Sequence, residues 1–323
     1  MAKKIDFFGL ASQSGQELNG SILAPESYLQ FLESINYDSN GFVNHGIIKN
    51  TRKSVQKLQS RHDLAQFDFN FYGEAFFRLL KLYEKQNLIL NWGGDHSVAL
   101  STVSAFTYHY SNGYVLWIDA HADLNLPDAS LTKNLHGMPV SFLLNLQGIS
   151  ELKQFWMKNF LDPQRLIYVG LRDLDPFETE TLQKLKIKYF TSEQVKTLGM
   201  AAVSQMISDY IGESPLHISF DIDSLDPLHA PSTGLNVEAG LTLTEVVQLG
   251  STLKNKDLKS IDVVEINPCI GSVQDVYVTN LSAHLFVESL RTHYIDRIFQ
   301  GGNNAQFYRT NQKHDSTQME SRS

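Results

Sequence analysis

Three short stretches of this chain concentrate acidic and imidazole side chains. NWGGDHS carries Asp95 and His96, YVLWIDAHAD carries Asp119, His121 and Asp123, and HISFDIDSLDP carries Asp221 and Asp223. Asp119, His121 and Asp123 stand at i, i+2 and i+4, so an extended backbone would project all three to one face. Asp221 and Asp223 repeat the spacing. With His96 the set offers two imidazoles and four carboxylates. Such a set can hold two divalent cations about 3.5–4 Å apart, with carboxylates bridging them. Oxygen and nitrogen donors without a thiolate suit Mn²⁺ better than a structural Zn²⁺. Each stretch alone has an ordinary explanation. Asp-x-His and Asp-x-Asp commonly form turns, and Asp95 or Ser97 could cap a helix. Their shared position after apolar runs, and the repulsion among four carboxylates that lack a cation, favour metal binding.

The elements that must position these residues can be read from apolar patterning. Runs at 4–8, 88–92, 114–118, 166–170, 216–220 and 261–266 look like buried strands, mostly followed by Gly, Asp or Asn. Helical spacing occupies 72–86, 97–110, 176–185, 200–211 and 244–254; in the first of these, Phe76, Phe77, Leu79, Leu80 and Leu82 form a broad stripe. Pro176 suits a first helical turn, where its missing N–H costs nothing. Strand and helix in alternation imply βαβ units, hence a parallel sheet with helices on both faces. Ligands of such sheets bind at the carboxyl ends of the strands, where the acidic stretches fall. Glu265, in VVEINP, ends the last run.

The balance of the chain narrows the classes. Its 323 residues carry 35 acidic and 27 basic side chains, a net charge of −8. That disfavours a nucleic-acid or membrane-surface partner, since both need clustered basic charge. The single cysteine, Cys269, allows neither an intrachain disulfide nor a thiolate cluster. MAKKIDFFGL is too short in apolar residues for a signal peptide, and no stretch is apolar enough for a transmembrane helix. A cytoplasmic enzyme is expected. With no internal repeat or linker, residues 1–300 are expected to form one catalytic domain, and polar 301–323 a flexible tail.

GGDHS, DAHAD and SFDIDSLDP, in this order, resemble the ureohydrolase family of arginases, agmatinases and formimidoylglutamases, over residues 93–271. The resemblance implies a three-layer α-β-α fold on a mainly parallel, eight-stranded sheet. It also implies that His96, Asp119, Asp123 and Asp221 hold one manganese, and Asp119, His121, Asp221 and Asp223 the other, with Asp119 and Asp221 bridging. Co²⁺ or Fe²⁺ could use the same ligands. Relatives form trimers or hexamers, so a homo-oligomer is expected.

Within that family, DAHADLNLPDASLTKNLHGMPVSFLL is most similar to arginases. By that likeness Asn125, Ser130, Thr132 and Asn134 would surround the α-carboxylate of an amino-acid substrate. GLRDLDPFE would bring Asp175 to its α-ammonium, with Glu178 nearby. His136 resembles a proton-shuttling histidine. Glu265, a carboxylate at the end of an apolar strand, would anchor the planar, always cationic guanidinium. Asp123 would stabilise the tetrahedral intermediate and relay a proton to the leaving amine, giving urea and ornithine. Alternatives are another amidino substrate, such as formiminoglutamate, a guanidino acid or agmatine, or a non-catalytic metal-binding relative. The chain departs from the family pattern at Leu235, which stands for a usual Thr, at Asn236, which stands for a usual Pro, at Lys133, where Gly is common, and in GQELNGSILAPES.

Overall fold

Eight short runs rich in apolar residues lie side by side as strands: β1 Ile5–Ala11, β2 Phe42–Lys49, β3 Leu88–Gly93, β4 Tyr114–Ile118, β5 Leu166–Leu171, β6 Lys188–Thr191, β7 Leu216–Asp221 and β8 Leu258–Val264. They form one sheet in the order β2-β1-β3-β8-β7-β4-β5-β6, and every pairing is parallel. The computed structural model describes residues 4–51, 57–60, 69–146 and 159–291. The expected tail at 301–323 lies outside them.

Parallel strands joined by helices must be covered on both faces, and the alternation of side chains supplies two apolar surfaces. In β4, Val115 and Trp117 enter one core; Leu116 and Ile118 enter the other. The first core receives Phe76 from α2 (Asn70–Tyr83), Val103 from α3 (Ala99–His109), Phe142 from α4 (Pro139–Leu143) and Leu182 from α5 (Pro176–Leu185). The second receives Phe31 from α1 (Ala24–Ser34), Val195 from α6 (Ser192–Leu198), Val203 from α7 (Met200–Ile211), Leu249 from α8 (Leu243–Leu253) and Phe286 from α9 (Val273–Ser289). This is the expected three-layer α-β-α arrangement. No helix among the described residues is long and apolar enough to cross a membrane.

The six expected strands and five expected helices are present, with ends moved by a few residues. Two strands escape an apolar-run reading because they lie at the sheet edges. β2 is largely exposed and interrupted by Asn44 and Gly46, and β6 has four residues. Helix α9 escapes because it is buried almost all round after its first turns, so no single apolar stripe marks it.

Just after β3 the backbone touches the end of β1 and the loop that follows it. Gly94 N donates to Leu10 O at 2.8 Å, and Asp95 N to Ser12 O at 3.0 Å. A Cβ on Gly94 would overlap the Ser12 carbonyl. Glycine is therefore required where the chain turns toward His96.

Candidate metal and substrate site

The acidic stretches leave the carboxyl ends of β3, β7 and β4, with β8 between the first two. Neighbouring strands lie about 4.8 Å apart, so residues far apart in sequence converge. His96 opens a short 3-10 turn before α3, and its N-cap is Asp95, whose side chain accepts from Ser97 N at 3.0 Å. The Asp95 cap, one of the ordinary explanations open to this stretch, is therefore present, in the same turn that places His96 at the sheet end. The expectation of extended backbone through Asp123 does not hold. β4 ends at Ile118, and Asp123 has φ 50°. The chain instead bends over the sheet end, and two hydrogen bonds fix the bend: the backbone bond Asp119 N to Val169 O at 3.0 Å and the side-chain bond Tyr168 Oη to Ala122 O at 2.7 Å.

Two groups of donors form there. His96, Asp119 and Asp221 bring ligand atoms within 4.8 Å of one another, and so do Asp119, His121 and Asp223. Asp119 belongs to both. Asp123 joins the first group through Oδ2, 2.9 Å from His96 Nδ1. His96 is 1% exposed. Its Nε2 pairs with Ser219 Oγ at 2.8 Å, and its ring stacks on Trp117 at 4.2 Å between centroids. That leaves Nδ1 aimed at Asp119, Asp123 and Asp221 oxygens 2.9–3.2 Å away. None of these contacts has hydrogen-bond geometry, so this buried nitrogen faces three carboxylates without a hydrogen bond to any of them. An orphaned imidazole nitrogen among carboxylate oxygens fits a cation, which both donor types can ligate.

Electrostatics point the same way. Burial raises the Asp123 carboxyl to about 6, with help from Asp119, and pushes Asp221 and Asp223 up as well. Asp119 is the exception; burial opposes its charge, but His121 and His96 hold it well below the usual range. An acid raised in the folded state stabilises the fold fully below its ordinary pKa of 3.8, and that contribution is lost as pH rises through about 6. Metal-free protein is therefore expected to lose on the order of 5 °C in Tm between pH 5 and 7.5. Saturating Mn²⁺ should raise Tm more at pH 7.5 than at pH 5, as ligands must be deprotonated. Calorimetry checks this; a metal-induced rise equal at both pH values contradicts it.

Above these groups lies a cavity of about 260 Å³, lined by His121, Asp123, Asn125, Thr132, His136, Gly137, Asp173, Asp175, Glu178, Asp221, Asp223, Leu235 and Glu265. Glu265 follows β8 at φ 64°. Its Oε1 accepts from His96 N at 2.8 Å and from His136 Nδ1 at 3.0 Å. Burial opposes the Glu265 charge, but His136 and the His96 amide hold its carboxyl below the ordinary value. Burial likewise opposes a charge on His136, and Glu265 overcomes it, raising that imidazole to about 9. Asp175, at the N-cap of α5, accepts from Asn125 Nδ2 at 2.8 Å. Glu178 is pinned by backbone: Oε1 accepts from Leu124 N and Oε2 from Asp175 N, both at 3.0 Å. Burial raises its carboxyl to about 7. It thereby ties the loop after β4 to the one after β5.

Of the four residues expected around an α-carboxylate, Asn125 and Thr132 line the cavity; Ser130 and Asn134 do not. Ser130 Oγ accepts from Lys133 N at 3.0 Å, the local turn chemistry of serine. Lys133 has φ 62°, which explains why glycine suits that position in the family. Its Nζ bonds Pro127 O at 2.7 Å and steadies the turn.

Several site residues were assigned no role from the sequence. Asp173 lies 3.5 Å from His121 Nε2. Leu235, 46% exposed, forms part of the cavity wall. Gln16 reaches Glu265 from the loop after β1. Arg172 donates to six carbonyls, among them Asp223 O at 2.6 Å and Val237 O at 2.8 Å, and so ties β5 to the loops bearing Asp223 and Leu235. Trp117 could have been noticed. It stands two residues before Asp119, on the same side of β4, and donates to Asp119 Oδ2 at 2.9 Å.

Comparison with known proteins adds to this geometry. Residues 3–290 match the model of the Arginase family. The chain is 34% identical over 289 residues to an arginase of Schizosaccharomyces pombe, covering 85% of this chain and 88% of that protein. It is 34% identical over 284 residues to the arginase of Staphylococcus aureus, covering 83% and 91%. The crystal structure of Entamoeba histolytica arginase in complex with L-ornithine superposes with a TM-score of 0.76 at 28% identity, covering 89% of this chain and 98% of that one.

Proposed function

The chain belongs to the arginase family, and from that premise we propose that it hydrolyses L-arginine to L-ornithine and urea with two manganese ions. The observation that carries this reading is the pair of donor groups sharing Asp119 beneath a cavity whose wall holds the Asn125–Asp175 pair. One 8-stranded sheet gathers these parts, which supports a single catalytic domain over 1–300.

His96, Asp119, Asp123 and Asp221 hold one ion, and Asp119, His121, Asp221 and Asp223 the other. When bound, the two ions lower the pKa of water so that a nucleophile exists near neutral pH. The chain's own side chains do the rest. Glu265, kept ionised by His136 and the His96 amide, pairs with the guanidinium and orients its carbon. Asp175, positioned by Asn125 and by Glu178 beneath it, receives the α-ammonium, while Asn125 and Thr132 face the α-carboxylate. Asp123 has Oδ2 turned to His96, so Oδ1 is the oxygen that takes a proton and passes it to the leaving amine. His136 has Nδ1 engaged by Glu265, which makes Nε2 the nitrogen that exchanges protons with solvent.

A substrate panel tests the reading. Manganese-loaded protein should release urea and ornithine from L-arginine, with kcat/KM at least about 100-fold above agmatine, guanidinobutyrate or formiminoglutamate. Preference for one of those three rejects it. Asp175→Ala should lower kcat/KM for arginine by roughly 100-fold; unchanged turnover rejects the ammonium assignment.

A further inference from the structure

Gln16 is 3% exposed and donates from Nε2 to Glu265 Oε2 at 2.6 Å, across 249 residues of sequence. The other carboxylate oxygen already has two donors, His96 N and His136 Nδ1. The backbone at Glu265 is equally fixed. It sits at φ 64°, donates to Gly94 O at 2.9 Å, and its carbonyl accepts from Thr233 Oγ1 at 2.9 Å. What such a backbone does not fix is the last side-chain torsion. Rotation about the bond to a carboxylate is soft and roughly two-fold, and donors on one oxygen alone leave the plane free to turn. Gln16 supplies the second point.

The loop that carries Gln16 is held in place by buried groups. Asp95, fully buried, accepts from Gly15 N at 3.1 Å and from Ser12 Oγ at 3.2 Å. Gly15 O accepts from His136 N at 3.1 Å, and Asn50 Nδ2 donates to Ser14 Oγ at 2.8 Å. A Cβ on Gly15 would collide with the Asp95 carboxylate. One buried aspartate thus anchors both the turn before His96 and the loop that delivers Gln16.

We infer that Gln16 is a positioning residue for the hydrolytic reaction: it locks the plane of the Glu265 carboxylate, and through it the angle at which the guanidinium is presented. This rests on the reading of Glu265 as the guanidinium partner. Gln16 does not touch the substrate in this scheme, and recognition of the amino-acid end does not depend on it.

Gln16→Met keeps the side-chain volume and removes the donor. In the manganese-loaded enzyme it should lower kcat/KM for L-arginine by roughly 10- to 100-fold, mainly through kcat. Norvaline, an α-amino acid of matching chain length without a terminal nitrogen, should inhibit the variant and the parent with constants within about twofold. A kcat/KM within about threefold of the parent overturns the inference, and so does an equal loss of norvaline binding, which would mark a general structural role. A crystal structure of the variant separates this inference from the arginase reading. A Glu265 carboxylate turned from its present plane supports the positioning role whatever the substrate proves to be, and an unmoved one overturns it.

Discussion

Asp119→Asn should lose roughly 10³-fold or more in kcat/KM for L-arginine and bind fewer than two divalent ions per chain. Asp119 belongs to both donor groups, so its loss weakens two sites at once. Its oxygens are also fixed by the chain itself: Oδ1 accepts from His121 N at 2.7 Å and Oδ2 from Trp117 Nε1 at 2.9 Å. These donors orient the carboxylate without exhausting its lone pairs, as is usual around metal ligands. Asparagine keeps the shape but sets an NH₂ against one of the two donors and removes a negative charge from both donor groups. Metal analysis of purified protein and steady-state kinetics check this together. Two ions per chain with parental kinetics would mean that Asp119 is no bridge, and circular dichroism identical to the parent would show that the loss is local.

The second large effect is expected at Glu265→Gln, on the order of 10²–10³ in kcat/KM with metal content unchanged. Both oxygens of this carboxylate accept from donors, Gln16 on one and His96 N with His136 on the other. An amide in the same place must turn its NH₂ either toward His96 N and His136, setting donors against donors, or toward Gln16, whose own amide must then flip to accept it. It also withdraws the charge proposed to pair with the guanidinium. A variant within about tenfold of the parent would remove Glu265 from the reaction. Comparing the metal content of the two variants distinguishes the roles, since the loss belongs to Asp119 alone.

Much of this centre was legible because the chemistry sits where buried strands stop. His96, Asp119, His121, Asp123, Asp221, Asp223 and Glu265 all follow apolar runs, and a parallel sheet gathers such ends on one side. The path of the chain after the strand was not legible. Two-residue spacing suggested extended backbone for Asp119, His121 and Asp123, whereas the positive φ at Asp123 lets the ligand loop fold back. Gln16 and Arg172 act on partners remote in sequence; GQELNGSILAPES stood out as a departure from the family pattern and GLRDLDPFE as an arginase-like segment, but nothing in either marked these two side chains. Ser130 shows the converse. Its likeness to a substrate contact was plain in the sequence; the structure adds a turn role that was not, its hydroxyl accepting from the amide of Lys133 while keeping an O–H to donate. Edge strands β2 and β6 hid for a related reason, since half-exposed strands lack the continuous apolar run of central ones.

The place of β8 bears on how the molecule is made. The last strand among the described residues lies near the middle of the sheet, between β3 and β7. Without it, β2-β1-β3 and β7-β4-β5-β6 have no strand in common, and His96 sits on one fragment while the aspartates sit on the other. During synthesis a chain that has not yet emitted residues 258–264 therefore cannot seal its two halves, nor bring His96 to Asp119 and Asp221. Closure depends on contacts between remote segments, which form slowly, and until then the flanks of β3 and β7 are open strand edges that can pair with other chains.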